Sequence, residues 1–535
     1  HGFRFSTSKT QAVTFSRSHR PPQPVLTLYG SPIPFRDSVR FLGLTFDSRL
    51  TWLPHIIDLK NSCLRRLNLL RTLSHLSWGA DRQTLLRLYS TLVLSKLDYG
   101  CQVYASAPAR FLRLLDSVHH QGLRLALGAF RSSPVASLYA ESGFFSLSRR
   151  RAFLSLKYFA KLHRFPSSPA LRVSPAVSAA VASSPRYSPP FSFRAQSLLS
   201  PLALPSIRVA PLRPSSFPPW LLPRPSVCSS IFPCPRSCTP SSVLCSKFLA
   251  HLPLHSDALP VYTDGSKSPS GVGFAVVFPS WSAQRSLPSF ASVLSAELSA
   301  LLFAVQRVLS SSSSSFVVFS DSYSALQLLH SCSLRHPLVL QLLELLARVS
   351  LRAKRVTFCW VPAHVGVRGN ELADSLARSA APSSPLSSFP LPPSDYFPLF
   401  HSFLRNEWQR SWDALPLNKL RSIKPSVVPW HDPFHRCRRW ETALVRLRIG
   451  HSRLTHGFLM SRDPPPLCPS CHVRISIDHI LVSCPRFATA RSASFPHVSS
   501  LSRPPTAADF LSESPHFSLP RLMNFFSSIS LLSEL

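Results

Sequence analysis

Apolar positions recur with two different periods along this chain, and the change from one to the other marks its elements. From 258 to 381 the order is regular. Val261-Tyr262-Thr263 and Gly271 to Phe278 read as strands, and Leu294 to Leu309 as a helix. A six-serine connector, Ser310 to Ser315, leads to a strand at Phe316 to Phe319. A helix at Leu338 to Val349, a strand at Val356 to Val361 and a helix at Glu371 to Ala380 follow. Residues 1–165 are less regular. Short strand-like runs such as Val39-Arg40-Phe41-Leu42-Gly43-Leu44 alternate with amphipathic helical stretches such as Leu85 to Leu97. Residues 166–257 break the pattern: 166–256 carry 18 prolines, 8 basic residues, no acid and no glycine. Proline removes amide donors and blocks helix interiors and central strands, so a mostly unstructured basic Ser/Pro-rich linker is expected there. A second Pro/Ser break spans 382–398, a mainly helical region 399–490, and a Ser-rich tail 491–535. No long-period repeat is present.

Composition changes this picture in three ways. The 535 residues are 45% hydrophobic, enough for about three separate cores and against wholesale disorder. The formal net charge of +35 points to nucleic acid or an anionic membrane surface as partner. No run approaches the roughly 18 uncharged apolar residues of a span, so no membrane is expected. The chain opens His1-Gly2-Phe3 without a signal-peptide pattern, and is expected to be a fragment of a longer product. Of twelve cysteines, Cys63, Cys101, Cys332 and Cys359 sit alone in apolar patterns and read as buried thiols. This usage favours a reducing compartment and metal ligation over disulfides.

Four acids carry the candidate chemistry. Asp264 follows one strand and Asp321 another, so neighbouring strands would bring them together. Glu297 lies early in an apolar helix and Asp374 in the first turn or so of the last one. Any one such acid is usually a cap or a solvated group; the joint pattern is what points to a site. Four converging carboxylates repel unless cations neutralise them, and two hard divalent ions about 4 Å apart suit phosphodiester hydrolysis. Three blocks hold these acids: Tyr262-Thr263-Asp264-Gly265-Ser266 with Gly271-Val272-Gly273; Ala296-Glu297-Leu298-Ser299-Ala300-Leu301 with Phe319-Ser320-Asp321-Ser322; and Trp360-Val361-Pro362-Ala363-His364-Val365-Gly366 through Gly369-Asn370-Glu371-Leu372-Ala373-Asp374. Together they resemble the ribonuclease H type-1 family. The resemblance implies an α/β domain over 258–381, a mixed five-stranded sheet with flanking helices. It implies cleavage of RNA in RNA–DNA hybrids with two Mg²⁺, or Mn²⁺ in their place, held by Asp264, Glu297, Asp321 and Asp374. His364 falls on the loop histidine that assists proton transfer, a role a histidine beside Gly366 in a flexible loop can fill near neutrality. Gly265, Ser266 and Asn370 are expected near the nucleic acid, Asn370 serving alternatively as helix N-cap. Arg352, Lys354 and Arg355 are the nearest counterpart of the basic handle with which some family members grip hybrid.

In the first 165 residues, Arg65, Arg66, Arg71, Arg82, Arg87 and Lys96 form either a backbone-binding surface or the solvated faces of helices. Gly2-Phe3-Arg4-Phe5-Ser6-Thr7-Ser8-Lys9-Thr10, Phe41-Leu42-Gly43-Leu44-Thr45-Phe46-Asp47, Leu97-Asp98-Tyr99-Gly100 and Leu125-Ala126-Leu127-Gly128-Ala129-Phe130-Arg131 resemble the end of a non-LTR retrotransposon reverse transcriptase, the jockey-type elements most. That implies a mainly helical palm-and-thumb remnant at 1–165, with Lys9, among the nucleic-acid-binding residues, on the late palm lysine that protonates pyrophosphate, Phe41-Leu42-Gly43 on the primer grip, and the rest of the retrotransposon protein upstream. No Asp-Asp pair occurs in the chain, so no polymerase activity is expected of it.

Near the C-terminus, Cys468-Pro469-Ser470-Cys471, His479 and Cys484 make Cys-x₂-Cys-x₇-His-x₄-Cys. Two thiolates from a tight turn and a second pair from a short helix suit one structural Zn²⁺. The pattern resembles the small zinc knuckle of retroelement proteins, and with Arg474, Arg486 and Arg491 nearby implies capture of single-stranded nucleic acid. The whole reads as a hybrid-cleaving nuclease of a non-LTR retrotransposon, acting in a nuclear or cytoplasmic ribonucleoprotein. The alternative is a catalytically inactive, nucleic-acid-binding remnant of a decayed element.

Overall fold

The computed structural model describes the chain apart from residues 1–3, 17, 19–21, 77, 173–178, 180, 182–188, 203–206, 214, 229–238, 384–389, 432–436, 500–501 and 516. Gly2 and Phe3 of the reverse-transcriptase-like block thus lie outside the described residues. The chain divides into two compact units: 1–155, 180–191 and 403–535 make one, and 156–179 with 192–402 the other.

The second unit is built on a mixed sheet. Its described elements are β1 (Ser226–Cys228), α1 (Ser241–His251), β2 (Leu259–Ser268), β3 (Gly271–Val277), β4 (Ser282–Leu287), α2 (Val293–Ser310), β5 (Ser315–Ser320), α3 (Tyr323–His330), α4 (Pro337–Leu351), β6 (Arg355–Trp360) and α5 (Arg368–Ser383). Strand order is β1-β6-β5-β2-β3-β4. β1, β6, β5 and β2 run parallel, β3 pairs antiparallel with β2, and β4 pairs antiparallel with β3 and so runs in the same sense as β2. Phe316-Val317-Val318-Phe319 is a continuous apolar run because β5 lies in mid-sheet, where both faces of a parallel strand are covered. The expected five strands become six because β1, from the Ser/Pro-rich segment, pairs with the edge strand β6.

That segment departs further from the unstructured expectation. Residues 191–199 and α1 are helical. The Tyr396 hydroxyl donates to the Arg208 carbonyl at 3.0 Å and accepts from its amide at 3.1 Å. Proline density blocks long regular elements but leaves room for short ones docked on a finished sheet. The patterning also missed β4, whose Ser282-Ala283-Gln284-Arg285-Ser286-Leu287 carries little apolar alternation, and α3.

Helix α2 has the length and mean hydropathy of a membrane span, although Glu297 and Arg307 interrupt its apolar run. Its apolar residues are instead mostly buried in this unit, as in a core helix. Ser292 caps its start by accepting from the Ser295 amide. At its end, Lys354 Nζ donates to the Val308 carbonyl at 3.0 Å and Arg352 to the Leu309 carbonyl at 3.0 Å. These two cations close orphan carbonyls of a helix C-terminus, so two of the three residues of the candidate basic handle serve the fold, and Arg355 stays exposed.

In the first unit, Val39 to Leu44 is no single strand. Ser38–Phe41 and Leu44–Asp47 form an antiparallel hairpin, turning at Leu42 and Gly43 with φ of 45° and 82°. Apolar side chains from Leu44 to Leu147 share one core with Trp408, Trp412, Leu420, Val427, Val445 and Ile449. Arg438 donates to the Leu125 and Ala126 carbonyls, both at 2.7 Å, ending the helix Ala109–Leu127. Arg82, a candidate phosphate contact, pairs with buried Glu141 at 3.1 Å instead. The Ser-rich tail is packed too: Phe510, Phe525 and Phe526 share a core with Cys468, Ile480 and Cys484.

Trp412→Ala removes a large side chain only 1% exposed, and is expected to cost about 3–5 kcal/mol. Amide exchange in the helix Leu53–Leu73 is the readout, because it shares this core. Unchanged protection there would show that the distant segments fold independently.

Candidate active site

The register of the parallel strands sets the first two acids. Thr263 of β2 pairs with Ser320 at the end of β5, so Asp264 and Asp321 are the next residues on adjoining strands. Asp264 does not end its strand; β2 continues to Ser268 as the antiparallel partner of β3. Helix α2 brings in Glu297 from the layer above, and its approach requires Gly265. A Cβ there would stand 2.5 Å from the Glu297 amide nitrogen and 2.7 Å from the Ala296 carbonyl carbon. Gly265, expected beside nucleic acid, is buried against this helix. Ser266 is half-buried on the same strand.

Carboxylate oxygens of Asp264, Glu297 and Asp321 lie within 4.8 Å of one another. Burial, then the charges of Asp321 and Asp374, push Asp264 up to about 7. Burial and the charges of Asp264 and Asp321 raise Glu297 well above the usual carboxylate range. Asp321 is raised by burial against the pull of hydrogen bonds from Asn370 and Asp264. Each carboxyl resists ionising because water is excluded and its neighbours would share its sign. Glu297 Oε2 is buried with no hydrogen-bond partner.

Asp374 does not join that group. It lies beyond the first turn of α5, and its carboxylate is held by Arg378 at 2.7 Å and flanked by His364 Nδ1 at 3.6 Å. Arg378 was missed in the sequence; its i, i+4 spacing from Asp374 was the available signal. His364 is 59% exposed with φ of 55°, and the following loop is fastened by the Gly366 amide donating to Glu371 Oε1 at 2.8 Å. Asn370 is no N-cap: it lies inside α5, buried, and donates to Asp321 Oδ2 at 3.3 Å.

The other candidates lie in the first unit. Ligand atoms of Cys468, Cys471, His479 and Cys484 lie within 4.8 Å of one another, with Cys484 Sγ 3.8 Å from Cys468 Sγ and 3.9 Å from Cys471 Sγ. A hydrogen bond from His479 draws the Cys468 thiol down to about 6. Arg474 and Arg486 are exposed, their guanidiniums 5.1 Å from the Phe458 ring and 5.4 Å from the Phe487 ring. Arg491, also read as a phosphate contact, donates to the Cys484 carbonyl at 2.7 Å. Lys9 is exposed at the end of a short turn of 3₁₀ helix.

Residues 256–382 match the RNase H family. The chain is 26% identical over 127 residues to the Drosophila melanogaster protein named "Probable RNA-directed DNA polymerase from transposon X-element", covering 23% of this chain and 13% of that protein. It is 30% identical over 87 residues, 16% of this chain, to a retrovirus-related Pol polyprotein from type-1 retrotransposable element R1 of Bradysia coprophila, and covers 8% of it. A Pol polyprotein from element R1 4 of Nasonia vitripennis is 28% identical over 108 residues, 20% of this chain and 28% of that one. The match therefore spans only a minor part of each relative's length.

A carboxyl whose folded pKa is raised binds its proton more tightly in the folded chain, so stability falls as pH rises between the unfolded and folded values. For Asp264 that window runs from the ordinary carboxylate range to about 7. In EDTA, Asp264→Asn is expected to stabilise the protein at pH 8 by on the order of 1–2 kcal/mol. The gain should vanish at pH 4, where the acid is already neutral when folded. Denaturant midpoints of both proteins at the two pH values measure this; an equal gain at both would remove ionisation as its cause.

Proposed function

Since residues 256–382 are an RNase H domain in a chain similar to retrotransposon polyproteins, we propose that this protein hydrolyses the RNA strand of RNA–DNA hybrids using divalent cations. The observation that carries this reading is the convergence of Asp264, Glu297 and Asp321 within 4.8 Å. The donor set is all carboxylate oxygen, and the buried, unpartnered Glu297 Oε2 fits a hard cation such as Mg²⁺ or Mn²⁺. Two such ions, when bound, supply neutralising charge, an activated water and stabilisation of the leaving oxygen.

The remaining work falls to the chain. Glu297 is brought in by the close approach of its helix to Gly265, and Asp321 is oriented by the Asn370 side chain. Arg378 neutralises Asp374 at the edge of the cluster and so holds the fourth proposed ligand beside it. His364, with Nδ1 towards Asp374, keeps Nε2 for exchanging a proton at the departing 3′-oxygen. Products would be a 3′-hydroxyl and a 5′-phosphate, consistent with removal of template RNA after first-strand synthesis. Cys468, Cys471, His479 and Cys484 are proposed to hold one structural Zn²⁺, placing Arg474 and Arg486 beside aromatic rings that bases can stack on.

The test is cleavage of a labelled RNA–DNA hybrid by the full chain in Mg²⁺ or Mn²⁺. Asp321→Asn is expected to lower the rate on the order of a thousandfold or more without weakening hybrid binding to match. His364→Ala should slow cleavage by roughly ten- to a thousandfold. Hybrid binding without cleavage in either metal would overturn the nuclease reading in favour of an inactive binding protein.

A further inference from the structure

A second set of metal-type ligands lies at the outer edge of the RNase H sheet, away from the carboxylates. β1 and β6 pair in parallel with Cys228 opposite Cys359, which puts both side chains on the same face. Helix α1 ends at His251, and the 3₁₀ turn Leu252–His255 follows it directly. The two histidines stand four residues apart, on one side of the helical path. Ligand atoms of Cys228, His251 and Cys359 lie within 4.8 Å of one another. His255 stands beside two of them: its Nε2 is 3.2 Å from His251 Nε2 and 3.8 Å from Cys359 Sγ, while it lies outside the mutually close trio.

We propose that Cys228, His251, His255 and Cys359 form a structural Zn²⁺ site that fastens the Ser/Pro-rich segment to the edge of the RNase H sheet. The distances from His255 to His251 and to Cys359 suit the ion, and His255 would close on Cys228 when the ion is bound. With Zn–S near 2.3 Å and Zn–N near 2.0–2.1 Å at tetrahedral angles, two nitrogens stand about 3.4 Å apart and a nitrogen–sulfur pair about 3.6 Å. Two thiolates with two imidazoles match the borderline softness of zinc and offer nothing to Mg²⁺. Neither cysteine is in a disulfide. Cys359 is fully buried and packs with Leu244 and Phe248 of α1, so the site closes over a core rather than opening to substrate. A four-ligand site without an open position is structural.

The site also has work to do in the fold. β1 is three residues long and comes from a segment rich in proline, too short to hold an edge by its own hydrogen bonds. A metal bonded to β1, α1, its following turn and β6 would tie β6 to three pieces that precede it by more than a hundred residues. The edge strand β6 is thereby covered, as sheet edges in native proteins usually are.

Zinc content of the full chain, purified under reductant, tests this. Two zincs per chain are expected, falling to one in Cys228→Ser and in His255→Asn, and to the other one in Cys468→Ser. A single zinc that survives Cys468→Ser and is lost in Cys228→Ser would also support this site, while removing the C-terminal one. A single zinc abolished by Cys468→Ser, or two zincs both kept in Cys228→Ser, would overturn the proposal. Because the edge variants risk misfolding, X-ray absorption of the zinc left in Cys468→Ser gives a second readout with the edge site intact. Two sulfur and two nitrogen neighbours are expected; a three-sulfur or all-oxygen shell would overturn the site.

Discussion

Three carboxyl groups held within 4.8 Å of each other, two of them almost fully buried, are the constraint around which the RNase H unit is organised. Left to water they would ionise and separate; packed here, they are pushed towards their protonated forms by desolvation and mutual repulsion. The arrangement persists because it is fixed from several directions at once. Adjoining parallel strands set the spacing of Asp264 and Asp321, and the missing side chain at Gly265 admits the helix that carries Glu297. Strain of this sort is tolerated where the surrounding structure overdetermines it, and a cation able to relieve it gains affinity from the same crowding.

Positive charge is dealt with in a less obvious way. A formal charge of +35 suggests a surface given over to phosphate, yet many of the cations singled out by pattern are bound to the protein's own carbonyls and acids. Lys354 and Arg352 close the end of α2, Arg491 holds Cys484, and Arg82 meets Glu141; Arg438, which no pattern marked, likewise closes the helix Ala109–Leu127. A helix C-terminus with orphan carbonyls attracts a cation as a phosphate does, and sequence alone does not tell the two apart. Arg474 and Arg486 stayed exposed beside aromatic rings, which is why they remain the better candidates for nucleic acid.

Segments read as separate along the chain are joined in the fold. Trp408, Trp412, Val445 and Ile449 complete a core begun by Leu44 to Leu147, and the tail's Phe525 and Phe526 lie in the core that includes Cys468 and Cys484. The Ser/Pro-rich segment supplies β1 and α1 to the second unit. Local composition described each stretch reasonably but could not say what it would pack against, since apolar side chains carry no address.

The amino-acid order by itself determined most of the strands and helices of 258–381, apart from β4 and α3, the placing of Asp264 and Asp321 on neighbouring strand segments and the Cys-x₂-Cys-x₇-His-x₄-Cys cluster. Each of these is written in short-range periodicity or close spacing, which local physics translates directly. Only tertiary structure decided that Asp374 stands aside with Arg378, that Asn370 orients Asp321 rather than capping its helix, and that the sheet has a sixth described strand. It alone brought Cys228, His251, His255 and Cys359 together. Apart from the His251-x₃-His255 pair their spacing follows no motif, because what unites the cysteines runs across strands and through a core, where distance along the chain has no bearing on distance in space.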